Sequence, residues 1–262
     1  MKKNYYHINF KIQCCRFEFR INDIPIFIEH EGRSLFAEIP INQLLREGKN
    51  NFTAMIRPEQ NKIELTDELL FEFGVTVGKI SPEGVDVLEL FNINVRELYA
   101  LDDITKYGII HTIEFELSHN NYIPNWNNNS SIHVNEIEIK KIFKFYNDFY
   151  NIILDKNINA IRNILSDSAR HISMAFYLNP EEKLESMVEA YKEILNDSDF
   201  KLQPLQVKPQ FIQLYSYGKL IELLNDKNHS VIYFLNKEQT FIKNIPLKIS
   251  RNEKNEYYIC LT

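Results

Sequence analysis

Seven histidines (His7, His30, His111, His119, His133, His171 and His229) and three cysteines (Cys14, Cys15 and Cys260) are the side chains best suited to ligate a metal or attack a substrate. Their spacing offers neither chemistry a frame. No H-x-x-x-H, H-x-H or C-x-x-C pattern joins them, so neither a metal site nor a metal cofactor is expected. The closest histidine pair, His111 and His119, falls toward opposite ends of one predicted strand, about 26 Å apart at roughly 3.3 Å per residue. Neither Cys14 nor Cys15 stands at a predicted helix N-terminus that would lower a thiol pKa. The chain has no Gly-x-Ser-x-Gly elbow and no Gly-x-Gly-x-x-Gly or Walker pattern, and it contains only seven glycines. Nucleotide chemistry therefore lacks its phosphate cradle, and no cofactor is expected.

Two constellations remain. Tyr146, Tyr150, His171, Tyr177 and Tyr215 could line a pocket in the second half and supply an acid or base, although all but Tyr215 fall on or beside helix stripes that a core would demand anyway. Glu97, Tyr99, Asp102 and Asp103 form an acidic and aromatic patch where helix and strand patterns are both weak, which predicts a surface loop. Such carboxylates either solubilise the loop or pair with Lys and Arg of a partner protein. Trp126, the only tryptophan, joins them as a candidate partner contact, though a large aromatic residue at that point more often packs.

The elements that must position these residues fall into two kinds. Over the first 120 or so residues apolar side chains recur with period two, as in Tyr6, Ile8, Phe10 and Ile12. Cys15, Phe17, Phe19 and Ile21 continue the alternation in the opposite phase, so the chain bulges or changes sheets at Cys14-Cys15. Asn22-Asp23 predicts a turn before Ile24, Ile26 and Ile28, and further strands are expected at 34–39, 51–57, 62–65, 70–77 and 109–117. Between them, Pro40 to Leu45 followed by Gly48 predicts one helical turn. Many short strands without long helices predict a β-sandwich.

From Asn120 to Ser131 the chain is rich in turn formers and poor in apolar periodicity, which predicts an Asn/Ser-rich linker over 123–134 between domains at 1–122 and 135–262. Asn135 with Glu138 makes a capping-box pattern, and Ile139, Ile142, Phe143, Tyr146, Phe149, Tyr150 and Ile153 then follow helical spacing. A shorter helix is expected near 158–166, and a third starts at Asn179-Pro180-Glu181-Glu182. Strand periodicity returns at 201–207, 211–217, 219–224, 231–236, 241–249 and 256–261. The second half is therefore expected to be α+β, with helices packed on a curved antiparallel sheet.

Length and composition fit this division. At 262 residues, with 44% hydrophobic and 25% charged, the chain can bury two ordinary cores. An odd number of cysteines, the absence of a continuous apolar stretch after Lys2-Lys3, and no run approaching about 20 apolar residues predict a cytoplasmic protein that does not span a membrane. Charge is uneven. Residues 64–116 hold 3 Lys/Arg against 12 Asp/Glu, whereas residues 117–262 hold 17 of each. That acidic segment disfavours nucleic acid and anionic lipid and could attract a basic partner.

The order of two helices, a short apolar segment around Ile172 to Leu178, a capped third helix and several strands resembles the cone-shaped nuclear transport factor 2 (SnoaL-like) fold over residues 133–262. That fold hosts both enzymes and binding domains. The N-terminal half, with Asn22-Asp23-Ile24-Pro25-Ile26, Ile39-Pro40-Ile41-Asn42 and Glu47-Gly48-Lys49-Asn50, is similar to sandwich domains of bacterial proteins encoded beside secreted toxins. The whole chain resembles immunity proteins that neutralise type VI secretion effectors, and no residue-level motif defines that class. The resemblance implies a non-catalytic protein that occludes a cognate toxin or effector domain. Two alternatives stand beside it: a small-molecule-binding protein or lyase/isomerase using a pocket in the C-terminal domain, and a structural or assembly module.

Overall fold

The computed structural model describes residues 3–66, 68–81, 84–94, 107–117, 124 and 126–261. The chain divides into two compact units, Met1–Ile123 and Pro124–Thr262. Its described elements are mostly strands, in four sheets, together with three α-helices, in keeping with a mixed α and β class.

In the first unit the strands are β1 (Lys3–Gln13), β2 (Arg16–Ile21), β3 (Ile24–Glu29), β4 (Leu35–Pro40), β5 (Gly48–Arg57), β6 (Leu70–Ser81), β7 (Gly84–Asn94) and β8 (Ile109–Leu117). They form two antiparallel sheets, ordered β4-β1-β6-β7 and β3-β2-β5-β8. The phase change at Cys14-Cys15 is where the chain crosses from the first sheet to the second, with Cys14 at φ 59° and Cys15 buried. Asn22 and Asp23, at φ 49° and 67°, make the two-residue loop joining β2 and β3, as that turn chemistry requires.

Alternation puts one apolar face of each sheet against the other. Phe10 of β1 meets Phe17 of β2 at 5.6 Å, and Phe73 of β6 stacks on Phe52 of β5 at 5.0 Å. Phe91 of β7 meets Phe115 of β8 at 5.7 Å. Strands therefore lie over one another in the order β1 on β2, β6 on β5, β7 on β8, and each aromatic pair adds about 1 kcal/mol beyond its burial.

Two sequence expectations for this unit do not hold. Residues 62–65 are irregular with a bend at 63–64, not a strand. Conversely β7 is a full strand that period-two alternation does not reveal, because a register shift opposite Val75/Thr76 leaves Leu90 out of the pairing and sets Leu90 and Phe91 side by side in sequence.

The second unit carries α1 (Glu136–Leu154), α2 (Ile158–Phe176) and α3 (Pro180–Asn196), followed by β9 (Phe200–Leu202), β10 (Ile212–Tyr215), β11 (Leu220–Leu223), β12 (Tyr233–Asn236), β13 (Ile242–Asn244), β14 (Lys248–Arg251) and β15 (Tyr257–Leu261). Its sheets are ordered β10-β11-β14-β15 and β13-β12-β9. Asn135 caps α1 by accepting from the Ile137 and Glu138 amides, and Asn179 caps α3 with Pro180 at its first turn. Ile142, Tyr146, Phe149 and Ile153 of α1 pack with Leu165, Tyr191, Ile221, Leu247 and Ile259 into one core.

Helix α2 runs ten residues beyond the expected end at 166 and absorbs most of the segment around Ile172. Its inner face there consists of Ser168, Ala169, Ser173 and Ala175, small residues that give no hydrophobic stripe but allow close approach. The Ser168 hydroxyl donates to the Cys260 carbonyl of β15 at 3.2 Å, which fixes that approach. The expected strand at 241–249 is two strands in different sheets, parted at Ile245-Pro246-Leu247 where proline removes a ladder donor. Residues expected as a linker also belong to this unit. Asn129 donates to Ser250 Oγ at 2.8 Å and Tyr258 Oη at 2.9 Å, and Ile132 sits in the core.

Candidate functional site

The side chains most capable of acid–base chemistry are committed to structure. Tyr146 is wholly buried; its hydroxyl donates to the Leu247 carbonyl at 2.6 Å and accepts from the Leu223 amide at 3.1 Å. Burial, and then the Glu222 carboxylate, push its pKa well above the ordinary tyrosine value. It ties α1 to β11 and to the residue before β14, and it keeps its proton at neutral pH. Tyr215 is also buried, with the Lys248 ammonium 5.9 Å from its ring centre. His171 is half-buried on α2, where desolvation and then Arg170 hold its pKa below the usual histidine value. Tyr177 closes the same helix in the left-handed conformation, and Tyr150 is half-buried on α1. The grooves described below and on the first unit are lined by none of these five residues.

Two buried carboxylates are spent in the same way. Glu222 pairs with Lys248 at 3.1 Å. Glu138 accepts from Tyr257 Oη at 2.7 Å and pairs with Lys141 at 2.9 Å and Arg251 at 3.2 Å. Burial raises the Glu138 pKa, but the Tyr257 and Lys141 hydrogen bonds and the Arg251 charge outweigh it and hold the carboxyl below its ordinary value. Asn135 with Glu138 predicts a capping box; the Glu138 carboxylate instead reaches β14 and β15. Burial pushes the Cys15 and Cys260 thiols up, away from the nucleophilic thiolate. Among the described residues, no group of three His, Cys, Asp or Glu side chains is placed to hold a metal ion.

Of the residues expected to contact a partner, Glu97, Tyr99, Asp102 and Asp103 lie outside the described residues. Trp126 is 2% exposed, so its ring packs and does not present itself at the surface. An open groove of about 310 Å³ in the second unit is lined by Phe211, Asp226, His229, Tyr233 and Gln239 among others. It is formed by β12, β13 and the loop after β11, away from Tyr146 in the core.

The surface that the sequence did not single out is the side of the first unit formed by β7 and β8. Among the described residues each is the end strand of its sheet. Val87, Leu88 and Leu90 are 68%, 46% and 40% exposed on β7, and Ile110 is 72% exposed on β8. Asp86, Glu89, Glu114 and Glu116 stand on the same two strands, which carry no Lys or Arg. Pairing places Val87 opposite Gly78, and Glu89 opposite Thr76, on the outer face of the first sheet. The floor beside them is low at Gly74, where a Cβ would come 2.7 Å from the Phe91 carbonyl oxygen. The sequence signal was available as the acidic excess of residues 64–116, but exposed Val and Leu on a strand look like core until pairing is known.

No helix among the described residues is long and apolar enough to cross a membrane. No protein-family model, curated protein or solved structure matches this chain.

Proposed function

We propose that this chain is a non-catalytic, immunity-type protein of the cytoplasm, which binds a cognate toxin or effector domain and neutralises it by occlusion. In this reading residues 1–122 are a β-sandwich domain and residues 135–262 an α+β domain of the cone-like kind, with helices on a curved antiparallel sheet. One observation carries it: reactive side chains are buried and spent in structural bonds, while the β7 and β8 end strands expose apolar residues and carboxylates with no ion-pair partner among the described residues. End strands that expose apolar residues beside carboxylates are suited to binding another protein. The acidic character of that side fits a basic partner and faster association at low salt.

The test is to mix the purified protein with each secreted-toxin domain encoded beside it, then measure complex mass and residual toxin activity. A one-to-one complex that loses activity is expected from one of them. Absence of both complex and inhibition with every candidate would contradict the reading. A second reading, small-molecule binding by the second unit, is favoured by the groove at Phe211, Asp226, His229 and Tyr233. Thermal-shift screening that raises the melting temperature of the wild type, but not of a Tyr233→Ala variant, would favour that reading over the first.

A further inference from the structure

The four end strands among the described residues of the first unit are not alike. β3 and β4 have six residues each and carry Pro25 and Pro40. Short strands and prolines deny an incoming strand its register of amide donors, and proteins use both to prevent edge pairing. β7 has 11 residues and β8 has 9, with no proline and no Lys or Arg in either. Lysines on an edge are the other usual guard, and here the edge charges are Asp86, Glu89, Glu114 and Glu116. None of the four has an ion-pair partner among the described residues.

Resting on the protein-binding reading above, we propose that β7 is the docking edge, and that its occupant is an extended, lysine- or arginine-bearing segment of the partner, which adds as a fifth strand beyond β7. The register shift opposite Val75/Thr76 divides β7, so the regular stretch available for pairing is residues 84–89. Along it Val87 and Glu89 point to the outer face, while Asp86 and Leu88 share the other face with Val77 and Lys79. Every second residue of an added strand thus meets an apolar side chain and a carboxylate in turn on either face. Charge complementarity decides the occupant. A second copy of β7 would bring two more carboxylates and no Lys or Arg to that edge, and like charge gathered across an interface is unfavourable. A basic strand neutralises Asp86 and Glu89.

The probe is a ten-residue peptide of lysine and valine, N-methylated on alternate amides so that only one of its edges can pair, with binding read by fluorescence anisotropy at low and high salt. A control peptide of the same sequence is methylated along both edges. One-to-one binding at least tenfold tighter than the control, weakened by salt and weakened tenfold or more by Val87→Lys/Glu89→Lys, is expected. Both side chains are exposed, so this double variant keeps its unfolding temperature. Equal binding of both peptides would reduce the contact to general electrostatics, and no binding of either would remove the docking edge; each overturns the proposal. If an identified toxin still binds the double variant with unchanged affinity, strand addition at β7 is wrong while the protein-binding reading stands. A toxin complex lost only in the double variant supports both.

Discussion

Glu89 and Glu222 are both strand carboxylates, one at the edge of the first unit and the other buried in the second. Glu222 is nearly inaccessible and held 3.1 Å from Lys248. Glu89 is exposed on β7 beside Val87, with no ion-pair partner among the described residues. Removing one partner of a buried pair strands a charge in a low-dielectric interior, whereas changing an exposed charge costs little because water screens it in either state. The contrast separates two uses of one residue type. In the second unit polar groups lock elements together; along β7 and β8 they are left available to something outside the chain.

That contrast is broken or sharpened by mutation. The largest effect is expected at Lys248: Lys248→Met leaves Glu222 buried and unpaired and should cost about 3 kcal/mol in denaturant unfolding, while the double variant Glu222→Leu/Lys248→Met recovers most of it. Next, Tyr146→Phe strands the Leu247 carbonyl and the Leu223 amide, for a loss of about 1–3 kcal/mol without any vacated volume beyond one oxygen. Gly74→Ala in the first unit drives a Cβ to 2.7 Å from the Phe91 carbonyl, and parting β6 from β7 should cost about 1–2 kcal/mol. Hydrogen exchange would show that loss concentrated at residues 84–94.

A smaller, pH-dependent effect belongs to Glu138. Its folded pKa lies below the ordinary 4.5, so its contribution is present above that value and is lost as pH falls through the folded pKa. Melting temperature measured between about pH 6 and about pH 3 should fall less steeply for Glu138→Gln than for the wild type. The smallest change is expected from Val87→Lys/Glu89→Lys, within about 0.5 kcal/mol of the wild type. Should that pair destabilise the protein as much as Lys248→Met, the edge is structural and the distinction fails.

How much of this was legible in the sequence depends on distance along the chain. Local signals served well: the phase change at Cys14-Cys15, the Asn22-Asp23 turn and the Asn135 and Asn179 caps each act within a few residues. Strand β7 escaped because alternation marks a half-buried strand, and an end strand with a register shift at Leu90 and exposed Val87 and Leu88 has no such pattern. The second half of α2 escaped because Ser168, Ala169 and Ser173 face inward, and close packing by small residues leaves no hydrophobic signal. Glu138 with Arg251 and Tyr257, and Glu222 with Lys248, are joined only by the fold. Acidity in residues 64–116 is visible in the sequence, but that Asp86, Glu89, Glu114 and Glu116 stand on two end strands required the pairing.

Amide hydrogen exchange, followed by mass spectrometry with and without the edge-blocked lysine–valine peptide, tests the central claim most directly. Strand addition predicts that protection rises across residues 84–89 and stays unchanged in β3, β4 and the second unit. Protection gained only in the second unit, or nowhere while the peptide binds, would contradict it.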